Sequence, residues 1–316
     1  ANDLAIRIAR EYSGGTGIIV SQEAYHGTSD LTSGCSPALG TGQTLAATTR
    51  LVAAPDQYRF EGEDLGDWFA AQIQAQIDDM NANGIKFAGF LADSIFSSDG
   101  VMPNPIGFLK KAVDVVHANG GIFIADEVQP GFARTGDSFW GFGRHGVVPD
   151  IITTGKPMGN GIPVSGLLAK DHVLSAFSQK IPYFNTFGGN PVAMAAAQAV
   201  LKTIQEEELQ AHSQRLGGLL LTELRKLMEK YDCVGDVRGA GLFIGFELVQ
   251  DRFTKMPDKA LALDLIEELR NTHRVLTSVA GPYGNVLKLR PPLVFQEKDI
   301  DWLVGALDQA LSKLQK

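Results

Sequence analysis

Ile122-Phe123-Ile124-Ala125-Asp126-Glu127-Val128-Gln129 runs four apolar residues into an acidic one. Such a short apolar run predicts a buried strand that delivers a carboxylate at its end. Further on, Asp150-Ile151-Ile152-Thr153-Thr154-Gly155-Lys156 does the same with a lysine. Upstream, Lys86 to Ala92 predicts a strand ending in Asp93, and Phe108 to Asn119 a helix with Leu109, Ala112, Val115 and Val116 inward and Gly120 as its stop. Strands and helices alternate around the opening stretch. This favours a mostly parallel sheet covered on both faces, with ligands beyond the carboxyl ends of its strands. Asp93, Asp126 and Lys156 all fall there.

The same rhythm extends outward. Leu4 and Ile8 share a face of a first helix; Gly14-Gly15 end it, and Gly17-Ile18-Ile19-Val20 predicts a short buried strand. The chain opens on Ala1-Asn2 in helical rhythm and without Met, so an upstream segment is expected to precede it. After the turn Tyr25-His26-Gly27, a Ser-, Thr- and Gly-rich stretch to Gly42 reads as loop. Arg50 to Ala54 is a weaker strand, and Asp67 to Asn83 a helix with Phe69, Ile73, Ile77 and Met80 on one stripe. Beyond Asn190 come two helices (Pro191 to about Glu207, Leu209 to Lys230), a strand over Gly239 to Val249, and a helix over Ala260 to Asn271. Strand-like Val275-Leu276 and Val286 to Leu289 then lead into a closing helix. The expected division is a large α/β domain, residues 1–206, truncated at its start, and a smaller C-terminal α+β domain, residues 207–316.

Composition narrows the function classes. The 316 residues are 44% hydrophobic, enough for a large core. Charged residues make up 20%, and the net charge of -8 argues against a nucleic-acid surface, which needs clustered Lys and Arg. Cys35 and Cys233 lie far apart and support neither a disulfide framework nor a metal spacing. A reducing, cytoplasmic setting is the default. No apolar run approaches the ~20 residues needed to span a bilayer.

A lysine at a strand end before a Gly-rich loop, Gly155-Lys156-Pro157-Met158-Gly159-Asn160-Gly161, can serve as a nucleophilic amine. The competing view is a surface lysine before a turn. A buried Asp126 requires a cation or donors, and a pyridinium N–H would serve. Together the amine and the carboxylate suit pyridoxal 5'-phosphate (PLP). Alternation suggests that one of Glu127 and Gln129 faces the ligand and the other does not. Neither the dinucleotide fingerprint nor a Walker A pattern is present. Asn185-Thr186-Phe187-Gly188-Gly189-Asn190, before a helix at Pro191, is a candidate anion site or an ordinary capped helix start.

Three motifs, Ile124 to Gly136, Pro149 to Lys156 and Phe184 to Pro191, in this order and spacing, resemble the class III aminotransferases, PLP enzymes of fold type I. The resemblance spans essentially the whole chain. It implies that Lys156 is the Schiff-base lysine and proton carrier, that Asp126 pairs with the pyridine nitrogen, that Gln129 lies near the ring hydroxyl and that Tyr25 stacks on the ring. Thr186 would reach the phosphate of the neighbouring subunit's cofactor, which implies a homodimer with shared active sites. A phosphate-binding Gly-Ser pair would come just before Ala1-Asn2. The substrates would be a small-molecule amine or amino acid and a 2-oxo acid, with neither nucleic acid nor membrane as partner.

The chain departs from the family pattern where the substrate would sit. Asp93-Ser94 stands where many members have Glu-Pro. Lys288 aligns with an arginine that holds a substrate carboxylate, and Ser98 with a glutamate that answers it. Leu287-Lys288-Leu289-Arg290-Pro291-Pro292 looks most like the phospho-lyase branch, which eliminates phosphate from phosphorylated amino alcohols. Lys288 and Arg290 are therefore the candidate substrate-binding cations, against the simpler view of a solvated strand edge. Outside PLP chemistry, the same sheet would also suit a nucleotide-binding or non-catalytic interaction protein.

Overall fold

The computed structural model describes residues 1–315. β1 (Gly17–Ser21), β2 (Thr49–Val52), β3 (Phe87–Ala92), β4 (Ile122–Asp126), β5 (Ile151–Thr154) and β6 (Gly166–Ala169) form one sheet in the order β2-β1-β3-β4-β5-β6. Neighbours run parallel except β5 and β6. The order reverses at β1, and a crevice opens beyond the strand ends at such a point.

Both faces of this sheet are buried, which explains the unbroken apolar runs. Phe87, Phe90, Phe123 and Ala125 pack with Phe69 and Ile73 of α3 (Leu65–Ala82) and with Leu109 and Val116 of α4 (Leu109–Ala118). Ile18, Val20, Leu91, Ile122, Ile124 and Ile151 point the other way, onto Ile6 and Ala9 of α1 (Asn2–Ser13) and Phe177 of α5 (Asp171–Ser178). The register Ile124↔Ile151 and Asp126↔Thr153 sets the two decisive strand ends side by side. The stretch before Gly42 is not all loop: it holds α2 (Asp30–Ser33).

α6 (Pro191–Glu206) and α7 (Leu209–Lys230) lead into a second sheet. Here β7 (Val234–Ala240), β8 (Phe243–Asp251), β10 (Ser278–Ala280) and β11 (Val286–Leu289) run in the order β10-β11-β8-β7, all antiparallel, with β9 (Met256–Pro257) on β8. α8 (Lys259–His273) and α9 (Glu297–Leu314) share its core with α7.

Two expectations fail locally. Gly239 to Val249 is not one strand: Gly241, at φ +52, turns the chain between β7 and β8. A side chain there would strike Arg134 O at 2.5 Å. Leu276 is 85% exposed, and the strand forms later, at Ser278. β6, a half-covered edge strand, and α5 have no counterpart in the sequence reading.

Candidate active site

Asp93, Asp126 and Lys156 follow or end β3, β4 and β5, as their strand-end placement requires. With Tyr25 and His26, which follow β1, they line a cavity of about 210 Å³. Asn2, Ser97, Ser98, Asp99, Val128 and Gln129 complete much of the wall.

Asp126 is buried, and its position is over-determined. Its Oδ2 accepts from His26 Nδ1 at 2.8 Å and from Asn2 Nδ2 at 2.8 Å. Asn2 is itself fixed, donating to His26 O and accepting from Thr153 Oγ1. An ionised carboxylate only accepts, so the proton on His26 sits at Nδ1. Burial alone would raise the Asp126 carboxyl; the His26 ring, the Asn2 amide and the Val128 N–H outweigh it and hold it below its ordinary value. Among the described residues Oδ1 takes only the long 3.2 Å bond from Val128 N, which leaves it a lone pair. Neither His26 nor Asn2 was singled out by sequence reasoning. Their contacts with Asp126 span 100 and 124 residues, so no local pattern marks them.

Lys156 breaks the strand geometry sharply. Gly155 is extended and Lys156 sits at φ +34, a strained position for a side chain and a frequent sign of a functional site. Its ammonium lies 5.7 Å from the Tyr25 ring centroid. Among the described residues it forms no ion pair.

Gln129 faces the cavity, while Glu127 is fully buried behind it. Glu127 accepts from Ser94 Oγ at 2.7 Å and from the N–H groups of Gly141 and Phe142, so it ties three segments together. Burial pushes its carboxyl up to about 8. An unfolded glutamate titrates near ~4.3. The folded state therefore holds this proton more tightly, and the contribution to stability is full below about pH 4 and lost as pH rises to about 8. Glu127→Gln should flatten the fall in melting temperature across that range. An unchanged fall in the variant would contradict this.

Lys288 lies on β11, between β10 and β8, so it is not on a sheet edge. Desolvation, then the charges of Arg290 and Lys156, depress its ammonium despite the opposing pull of Asp93. Arg290 is exposed, donates to Gln129 Oε1 at 2.5 Å and caps the Phe243 ring at 5.7 Å. Two cations therefore stand beside the cavity. Thr186 does not line the cavity; it is exposed in the segment before α6.

The residues fit PLP. An unpaired amine, a carboxylate fixed with one free lone pair, and an aromatic face sit around one cavity. Beside them, His26 Nε2 and Thr154 Oγ1 are buried without hydrogen-bond partners among the described residues. The class III aminotransferase family matches residues 1–311. The chain belongs to that family. PLP is the cofactor of the class III aminotransferases. The chain is 39% identical over 317 residues to an alanine–glyoxylate aminotransferase 2-like protein of Drosophila melanogaster, covering 96% of this chain and 64% of the relative. It thus spans just under two thirds of that relative's length. It is 38% identical over 334 residues to an ethanolamine-phosphate phospho-lyase homolog of Caenorhabditis elegans, covering 100% of this chain and 72% of the relative. Among solved structures, a phospholyase from Arthrobacter in complex with phosphoethanolamine superposes with a TM-score of 0.94 at 38% identity, covering 99% of this chain and 74% of that one. Among the described residues, no helix is long and apolar enough to cross a membrane.

Proposed function

We propose that this class III aminotransferase chain moves an amino group between an amine or amino acid and a 2-oxo acid, with Lys156 as its catalytic amine. The observation that carries this is the meeting of an unpaired Lys156 ammonium with a rigidly held Asp126 in one cavity. PLP, when bound, supplies a carbonyl for amines to attack and a ring that takes up the electrons of a broken Cα–H bond. Nζ of Lys156 takes the proton from the substrate Cα. Asp126, its carboxylate held ionised, would hold the ring nitrogen in its protonated form. Tyr25 would hold the ring, and Gln129, whose Oε1 accepts from Arg290, keeps its amide N–H groups as donors that would serve the ring hydroxyl. Lys288 and Arg290 attract the anionic end of the substrate.

His26 acts through Asp126. One hydrogen bond to a charged acceptor is worth about 1.5–3 kcal/mol, so His26→Ala should slow turnover at saturating PLP about 10–100-fold. Turnover within twofold of the parent would contradict that role.

A second activity competes on one observation. The Lys288 and Arg290 pair presents two cations, and the superposable Arthrobacter phospholyase holds phosphoethanolamine. Incubation with phosphoethanolamine, assayed for phosphate, ammonia and acetaldehyde, separates the two. Amino transfer to a 2-oxo acid without phosphate release supports the transaminase; stoichiometric phosphate and acetaldehyde replace it by the lyase.

The functional unit is a homodimer in which Thr186 serves the neighbouring subunit's cofactor phosphate. α6 supports this: of its sixteen residues only Ala193 and Ile204 are buried, Val192 stays 70% exposed, and Phe187 in the preceding segment is 80% exposed. Such an apolar face suits a second copy. Sedimentation should give twice the chain mass; a monomer at micromolar concentration would oppose it. The domain boundary falls between α6 and α7. Free, buried Cys35 and Cys233 suit a reducing compartment such as the cytoplasm.

A further inference from the structure

The segment Asp93 to Met102 forms one wall of the cavity through Asp93, Ser97, Ser98 and Asp99. Its backbone is held in an unfavourable shape. Phe96 and Val101, both buried, sit at φ 48 and 62, with Gly100 at φ 115 between them. Side chains resist this left-handed region, so surrounding contacts must impose it.

Those contacts come from both sheets. From the first, Ser21 Oγ and Glu23 N donate to the Asp99 carboxylate at 2.7 and 3.0 Å. From the second, Arg238 on β7 reaches across with a planar fork. Its Nε donates to Val101 O at 2.8 Å and its Nη2 to Gly100 O at 2.6 Å. Gly281 N donates to Ser98 O at 2.9 Å. The fork is itself locked. Arg238 Nη1 pairs with Asp236 at 2.8 Å and with fully buried Glu247 at 2.6 Å. Glu247 also takes Asn285 Nδ2 and the guanidinium of Arg59, which lies between the Tyr58 and Tyr283 rings. A buried arginine with this many fixed partners spends its charge on two carbonyls of one strained loop.

We propose that Arg238, oriented by Glu247, is a positioning residue for substrate binding. It holds the left-handed Phe96–Val101 loop, so that Ser97, Ser98 and Asp99 present a fixed wall to the amine substrate beside Lys156. The inference rests on the amino-transfer function proposed above. A wall that meets the substrate equally in ground and transition states governs KM rather than kcat.

Arg238→Lys keeps the charge and removes the fork. Expected for the PLP-loaded variant is a KM for the amine raised about tenfold, kcat within about twofold and an unchanged cofactor absorption band. Amide exchange at residues 96–102 should rise about tenfold, a readout independent of turnover. Arg252→Lys is the control, because Arg252 bonds Val234 O and Tyr231 O with its Nε and Nη2 and pairs with exposed Asp232 at 3.8 Å, away from the loop. It should lower the melting temperature while leaving KM and loop exchange as they were. Should Arg238→Lys not fold, Gly245→Ala tests the same joint, since its Cβ would press on Gly100 O at 3.1 Å and Val101 Cβ at 3.2 Å. It too should raise KM and loop exchange. The proposal is overturned if the folded variant leaves KM or loop exchange unchanged, or if Arg252→Lys raises KM equally. A parent protein that binds PLP but transfers no amino group sinks the functional proposal instead; loop exchange then still decides whether Arg238 holds the loop.

Discussion

Lys156→Ala is expected to abolish amino transfer. Proton transfer by a positioned group alone is worth about 10²–10⁴-fold, and Lys156 also supplies the covalent anchor, so the loss should exceed about 10⁴-fold. Little stability should go with it. Lys156 is exposed, and among the described residues its ammonium forms no ion pair. The left-handed φ of +34 stays strained with alanine as it was with lysine. The check is steady-state turnover beside a melting curve. A folded variant that retains turnover would remove Lys156 from the chemistry.

Asp126→Asn should cost about 10²–10³-fold in kcat, the size typical of losing a preorganised charge at a developing one. The substitution keeps the shape and removes the negative charge toward the ring nitrogen. With its oxygen kept on the His26 Nδ1–H and the Asn2 amide, the asparagine puts a donor NH2 in place of Oδ1, against the Val128 N–H and the ring N–H. The expected pattern is a large fall in kcat with a smaller weakening of PLP binding, measured by absorbance titration. A kcat within threefold of the parent would mean that Asp126 is only a structural acceptor.

The two strand ends could be found in the sequence because the strands that carry them are buried on both faces. Ile122 to Ala125 and Ile151-Ile152 are apolar runs, so Asp126, directly after the first, and Lys156, the first charged residue after the second, stand out. The long helices were legible for a related reason, their one-sided stripes. The partners of Asp126 were not. His26 is one turn residue among many, and Asn2 looks like an ordinary polar residue at a helix start; only the folded sheet brings them to one carboxylate. Arg59, Arg238 and Glu247 carry no local signal of burial; only the folded second sheet brings them together. Thr186 was legible only as part of a motif, since within this chain it touches nothing in the cavity. The hairpin at Gly241 was missed because Gly-Ala-Gly-Leu between two apolar strands reads as one continuous run.

The central claim is that Lys156 is the amine that carries PLP opposite Asp126. Borohydride reduction of the PLP-loaded protein, followed by peptide mapping, tests it most directly. The expected result is a yellow protein that bleaches on reduction and carries one pyridoxyl group on Nζ of Lys156. A label on Lys288 or another lysine, or no label at saturating PLP, would contradict it.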